Sequence, residues 1–436
     1  MGVDVRAFLR HVFAVASNPK PLELTPLPPD LGSRWREKFA QIGTGPVAIE
    51  PAISQQWFEW EREAIFKRCW LTVGTVDEIP NPGDYLVREI HAARASILIV
   101  RARDGEIRAF HNVCRHRGNK LVWDYKGNQR ACTWACRFHG FVYDGKGDLV
   151  FVPEEGNFKE PLCGKLNLPP VSLGVYEGFI FINLQAEPEE SLETYLGPIA
   201  AHLRDYPFQA LPQRYHYQSF QRSNWKLALD AQSEVYHVPY LHGQTWPKLF
   251  NRPDRPHVES FDMRLYNRHR YGNWPGNPHY KPQDVEVFAL GKYSSITRLG
   301  EINQPTGPGI NSSNAPDWGF DIVHLFPNTN ILILGGVWHT HQFWPLSENR
   351  LLWEIKIHMP EPQTAGERFS EEYGRILLRD ALREDGTTHE HTQEALESGA
   401  IDSVVLQDEE MFVRHNYWAV EQEIRHWRDG VRQTIE

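Results

Sequence analysis

The feature of this 436-residue chain that most restricts its fold is a split pair of half-sites. Cys114-Arg-His116 is followed, after nineteen intervening residues, by Cys136-Arg-Phe-His139. Each half offers one thiolate and one imidazole. Arg117-Gly118 follows the first, and Gly140, Phe141-Val-Tyr143 and the turn Asp144-Gly-Lys-Gly-Asp148 follow the second. Short β runs broken by glycine turns predict a small all-β unit with two loops meeting at its tip.

Two thiolates and two neutral imidazoles form the ligand set of a Rieske [2Fe–2S] centre, where histidines replace two cysteines and raise the reduction potential. Such a centre is an electron relay. Structural zinc can use the same letters, but zinc fingers pair like with like, whereas each loop here mixes Cys with His. Cys132 has Ala135 three residues on instead of a histidine, so it cannot make a third half-site. Cys132, Cys69 and Cys163 are expected to be small buried side chains. Five cysteines, two of them needed as thiolates, point to a reducing compartment without a disulfide framework.

A second constellation comes about a hundred residues later: Asn224-Trp-Lys226, then Asp230-Ala-Gln-Ser-Glu234-Val-Tyr-His237-Val-Pro-Tyr-Leu-His242. On a helix Glu234 and His237 share a face. Val238-Pro239 disfavours further regular helix, which leaves His242 to the next segment. Two histidines and one carboxylate make the facial triad of a non-haem Fe(II) oxygenase. The carboxylate best placed by sequence is Asp408, in Val404-Val-Leu-Gln-Asp408-Glu-Glu, with Glu409 and Glu410 as rivals that spacing does not separate.

With these motifs in this order, the chain resembles the catalytic α subunit of Rieske non-haem iron oxygenases. That family holds ring-hydroxylating dioxygenases, monooxygenases and demethylases. The resemblance implies an α+β chain, in which an all-β Rieske [2Fe–2S] domain precedes a helix-grip (START-like) antiparallel-sheet catalytic domain. It implies a cluster on Cys114, His116, Cys136 and His139, and a mononuclear Fe(II) on His237, His242 and Asp408. It makes Glu234 the acid bridging the two centres across a subunit interface, and O2 the co-substrate. NAD(P)H electrons would arrive through a separate flavin reductase, with or without a ferredoxin. A homotrimer, with or without a β subunit, is the implied assembly.

The implied activity is hydroxylation, dihydroxylation or demethylation of a small apolar or aromatic molecule, with an aliphatic or quaternary-amine substrate as the alternative. Two departures bear on this choice. Glu234 stands where arene dioxygenases usually carry Asp, and the second loop lacks the frequent Pro-Tyr and Trp. Neither removes a ligand, and the first favours monooxygenation or demethylation over cis-dihydroxylation of an arene. A bare electron carrier, or a zinc-stapled scaffold, would leave some 270 residues and the histidine set without a use.

The expected division is an arm at 1–48, a Rieske domain at 49–166 and a catalytic domain at 167–436. The arm combines an amphipathic stretch over 4–13 with a proline-rich one over 19–33. Net charge is −10 with no basic block, which argues against nucleic acid. No apolar run reaches the length of a membrane span, so a cytoplasmic enzyme is expected. No Gly-x-Gly-x-x-Gly motif follows a strand, so nicotinamide or flavin must sit on another protein.

The segment from Arg264 to Leu325 reads as a variable substrate entrance. His339-Thr-His341 shares one face of a strand and is expected to border the substrate cavity. His389-Glu-His391 is expected to be solvated. Glu423-Ile-Arg-His426 would make, with Glu234 and His237, the two Glu-x-x-His pairs of a di-iron bundle. It is expected instead on the solvent side of a terminal helix.

Overall fold

The computed structural model describes residues 34–246, 258–281, 284–290, 304–431 and 433. The amphipathic stretch at 4–13 and the proline-rich one at 19–33 lie outside them. Two seven-stranded antiparallel sheets organise the chain. The first runs in the order Leu71–Thr75, Phe179–Asn183, Pro170–Tyr176, Ile107–His111, Ala95–Arg101, Asp84–Ile90, Lys126–Asn128. A three-stranded sheet of Thr133–Ala135, Val142–Asp144 and Leu149–Phe151 carries the second half-site.

Strict alternation gives the first sheet two different faces, because successive side chains of a strand point opposite ways. Tyr85, Val87, Leu98, Val100 and Phe110 pack with Cys114, Cys136, Trp134 and Tyr143 in one core. Their neighbours Leu86, Ile97, Ile99 and Ala109 pack in another core, with Trp353, Ile355 and Ile357 of the second sheet. The cluster loops therefore lie on the side of the first sheet turned away from the catalytic sheet of the same chain.

The second sheet runs Gln213–Gln221, Arg350–His358, Val337–Ser347, Thr329–Leu334, Trp318–Leu325, His269–Pro275, Asp262–Tyr266. The 33-residue helix Ala365–Glu397 crosses it, started by Thr364 and Glu367 in a reciprocal cap. This is the expected α+β order of an all-β unit followed by an antiparallel sheet with long helices. At the seam, Arg88 donates to both Glu354 oxygens at 2.9 and 3.1 Å, and Lys356 meets Glu78 at 2.6 Å. Pairing these buried charges offsets their desolvation.

Three expectations need correction. Pro170–Tyr176 pairs with Ile107–His111 and Phe179–Asn183 pairs with Leu71–Thr75, so the first sheet continues past the boundary expected at Leu166. At the other end, Glu61 accepts from Trp225 Nε1 (2.8 Å) and Lys226 Nζ (2.5 Å), tying residues expected in the Rieske unit to the catalytic one. Finally, much of the expected entrance segment is sheet: Asp262–Tyr266, His269–Pro275 and Trp318–Leu325 include its first and last residues. Among the described residues no helix is long and apolar enough to cross a membrane.

Candidate metal centres

The two cluster loops are built alike. Cys114 O accepts from Gly118 N (3.0 Å), and Cys136 O accepts from Gly140 N (2.9 Å). The thiol residues' own amides donate to Asn119 O and Phe141 O, each at 2.8 Å. Both glycines are left-handed, at φ 76° and 72°, a conformation that closes such a turn without the Cβ penalty. The result brings the His116 and His139 rings to 4.6 Å, with Phe141 stacked on His116 at 4.7 Å.

Tyr143 Oη accepts from Arg115 N at 2.9 Å and lies 3.6 Å from Cys114 Sγ. Asn119 Nδ2 lies 3.9 Å from Cys136 Sγ. His116 Nδ1 is buried with no hydrogen-bond partner, the signature of a ring nitrogen reserved for a ligand bond. Burial also holds the His116 pKa below the usual imidazole value, keeping the ring neutral as coordination requires. The four donors thus fit a [2Fe–2S] cluster. Cys132 and Cys69 are buried as expected, whereas Cys163 is only half-buried, with its amide donating to Glu155.

The second centre starts from Asn224, whose Oδ1 accepts from Lys226 N at 3.0 Å and caps the helix Trp225–Ala231. That helix stops before Glu234, which corrects the expectation that Glu234 and His237 share a helical face. Their contact survives in a turn: His237 Nδ1 lies 2.5 Å from Glu234 Oε1, and His237 N donates to Glu234 Oε2 at 3.1 Å. Nor does Pro239 prevent helix. Val238–Leu241 is a short helix with proline in its first turn, where the missing N–H has no partner to lose. This helix holds the His237 and His242 rings 5.2 Å apart.

The third donor is Asp385, not Asp408. Asp385 Oδ1 lies 3.2 Å from His242 Nε2 and 3.6 Å from His237 Nε2, and the three donor atoms lie within 4.8 Å of one another. Asp385 is 3 % exposed, and Oδ1 is buried without a well-directed hydrogen bond, despite its nearness to His242. Gln232 Nε2 fixes the other oxygen at 2.9 Å.

Burial alone would lower the His237 pKa. The carboxylates of Glu234 and Asp385 outweigh it and hold the imidazole up at about 9, so the pocket is short of positive charge. Orphaned acid, converging nitrogens and anionic surroundings fit a divalent cation.

Asp408 serves elsewhere. Its carboxylate accepts from the backbone amides of Arg34 (2.9 Å), Trp35 (2.9 Å) and Arg36 (2.7 Å), capping the helix Arg34–Lys38. An acid is favoured at exposed first-turn amides, which is the physical reason for its location. Glu409 binds Trp35 Nε1 and Ser260. Glu410 accepts from Gln407 N, and its pKa is raised by burial and by the neighbouring Glu234.

Sequence reasoning missed Asp385 and its neighbour Glu384, which accepts His242 Nδ1 at 2.7 Å. The available signal was a helical stripe of buried residues, Leu378, Ala381, Asp385, His389, Gln393 and Leu396, with an acid in its middle. On that stripe His389 is buried against Gln221 Oε1 (3.0 Å) instead of solvated, while His391 is exposed. Glu423 is buried and pairs with Arg268 at 3.1 Å, not on the solvent side, and His426 contacts Glu189 at 3.2 Å. They take no part in the His237 site.

A cavity opens over the three donors. Its lining includes Val235, Trp246, Phe320, Ile322, Leu332, Leu378 and Leu382, with His339 and His341 from the Val337–Ser347 strand. Cross-strand register places these histidines beside Leu332 and Asn330, as the i, i+2 pattern predicts.

Residues 208–425 match the family model for the ring hydroxylating alpha subunit (catalytic domain), and residues 69–169 match the Rieske [2Fe-2S] domain. The chain is 26 % identical over 358 residues to the glycine betaine monooxygenase oxygenase subunit of Chromohalobacter salexigens, covering 79 % of this chain and 77 % of that one. Its fold matches a quaternary ammonium Rieske monooxygenase with TM-score 0.69 and 20 % identity, over 88 % of this chain and 97 % of the other. It matches naphthalene 1,2-dioxygenase from Rhodococcus sp. with TM-score 0.70 and 19 % identity, over 87 % and 94 %. With a Rieske unit ahead of the ring-hydroxylating catalytic domain, the chain belongs to the Rieske non-haem iron oxygenases and is an oxygenase that uses a Rieske cluster, a mononuclear iron and O2.

Proposed function

We propose that this oxygenase is a monooxygenase that oxidises a methylated, quaternary-type amine, with iron held by His237, His242 and Asp385 and the cluster by Cys114, His116, Cys136 and His139. When bound, the cluster relays electrons and the iron activates O2. The chain's own residues prepare both events. Glu234 accepts a hydrogen bond from His237 Nδ1, and Glu384 one from His242 Nδ1, so each imidazole presents Nε2 toward Asp385. Gln232 holds the Asp385 carboxylate in register. Trp246, Phe320, Ile322 and Leu332 keep bulk water from the substrate.

Electrons come from a separate donor, for which we propose a flavin reductase, and the working form is a multimer, for which we propose a homotrimer. The partition of the first sheet supports this: the cluster faces away from its own catalytic sheet. Exposed aromatics flank both centres, Trp123 and Phe138 near the cluster loops and Tyr236 and Tyr240 beside His237. In the trimer Glu234 would bridge the neighbour's cluster histidine to His237.

The observation that carries the amine reading is Glu234, a glutamate at the bridging position, seated on His237. The long match to a glycine betaine monooxygenase subunit supports it. The test is a single turnover of dithionite-reduced, desalted enzyme under ¹⁸O2, offered trimethylammonium compounds in parallel with naphthalene and biphenyl. One labelled oxygen per amine consumed, with an aldehyde released, is expected. A cis-diol carrying two labelled oxygens from an arene, with the amines untouched, would overturn the reading.

A further inference from the structure

The cavity lining includes a hydrogen-bonded pair that the proposed metal centre does not use. His339 Nδ1 lies 2.9 Å from His341 Nε2, and the residues are 1 % and 3 % exposed. Their outer nitrogens, His339 Nε2 and His341 Nδ1, are buried without any partner. Among the described residues, the other buried side-chain nitrogens and oxygens of the lining without one are Asp385 Oδ1, which faces His237 and His242, and the Trp246 indole N–H. Asn330 is fully engaged, with Nδ2 on Gln232 O and Oδ1 on His324 Nδ1.

We propose that His339 and His341 act together as the specificity element of the cavity, taking a neutral hydroxyl group of the substrate and so fixing which carbon faces the iron. This rests on the amine reading above and narrows it to amines bearing a hydroxyl in place of a carboxylate.

A neutral imidazole has one N–H and one lone pair. A hydrogen bond between two of them leaves one outer nitrogen a donor and the other an acceptor, whichever way the shared proton lies. A hydroxyl satisfies either end in either tautomer, since it both donates and accepts. A carboxylate offers only acceptors and brings a charge. The described lining contains Glu234 but no Lys or Arg, so a substrate carboxylate would be desolvated there without a side-chain cation to pair with. The cationic end of such a substrate is suited by Glu234 and by the aromatic rings of Trp246 and Phe320.

The test is calorimetric titration of the anaerobic holoenzyme with choline, its hydroxyl-free isostere n-propyltrimethylammonium, and glycine betaine. The wild type is expected to bind choline about tenfold tighter than the isostere, the value of one ordinary hydrogen bond, and betaine more weakly than choline. In the double variant His339→Phe/His341→Phe the choline-to-isostere ratio should fall to about one, with isostere binding retained. Cluster spectrum and iron content check that the variant is folded, and His341→Phe alone carries the test if the double variant is not.

Equal binding of choline and isostere by the wild type, or a ratio that survives the substitutions, overturns the specificity role and leaves the amine reading intact. Binding of none of the three compounds overturns both.

Discussion

The two metal centres are anchored in opposite ways. Each cluster loop closes on itself through a hydrogen bond from a left-handed glycine amide to the cysteine carbonyl and another from the cysteine amide to a nearby carbonyl, and its polar contacts are neutral: the Tyr143 hydroxyl and the Asn119 amide. The iron site has no such local frame. Its imidazoles are each backed by a carboxylate, and Asp385 and Glu384 arrive on a helix more than 140 residues along the chain. The cluster pocket is therefore a product of backbone turns, and the iron pocket a product of packing a helix onto a sheet. Damage should stay local in the first and spread with the helix in the second.

The largest separation of the two centres is expected from Asp385→Ala. Mononuclear iron should be lost and turnover should fall by more than about 100-fold, exceeding the usual cost of losing an outer partner of a metal ligand. The cluster's EPR signal should remain. Asp408→Ala is the matched control: iron and turnover stay, and the loss of a helix cap costs about 1–2 kcal/mol, read as a lower Tm. Iron retained by the first variant and lost by the second would return the ligand assignment to Asp408.

Glu234→Gln should keep both metals but slow cluster reoxidation by substrate and O2, by about 10- to 100-fold in stopped flow. An unchanged rate would remove its bridging role. Glu384→Ala leaves His242 Nδ1–H without its acceptor, and iron affinity measured against a chelator should drop about tenfold. The smallest effect belongs to Tyr143→Phe. Removing a hydroxyl that can donate to Cys114 Sγ should lower the cluster potential by roughly 40 mV, the one-electron equivalent of a hydrogen bond of about 1 kcal/mol. A shift of the iron site's own spectrum in that variant would break the separation.

The same contrast decides what could be read from the letters. The convergence of the Cys114–His116 and Cys136–His139 loops was legible because each is a short turn that puts sequence neighbours into spatial contact. His237 and Glu234 were paired correctly through a helix that is absent, since a turn also closes a three-residue separation. Asp385 was hidden because one acid on a long charged helix looks like any other until its buried face is known. Asp408 attracted attention as an acid at a helix start, and it does cap helical amides, those of Arg34–Lys38. The domain boundary was missed because Pro170–Tyr176 completes a sheet begun a hundred residues earlier, and long-range strand pairing leaves little local signal.

The first sheet, one strand layer thick, has a genetic consequence. Leu98 faces the cluster chamber and Ile99 the catalytic seam, although they are adjacent in the chain. Truncating either to alanine removes similar apolar volume, at about 2–5 kcal/mol. Yet the first opens space in the core that holds Cys114 and Cys136, and the second in the core shared with the catalytic sheet. Neighbouring codons thus address different machines, and a scan along Ala95–Arg101 should alternate, residue by residue, between altered redox behaviour and altered substrate handling.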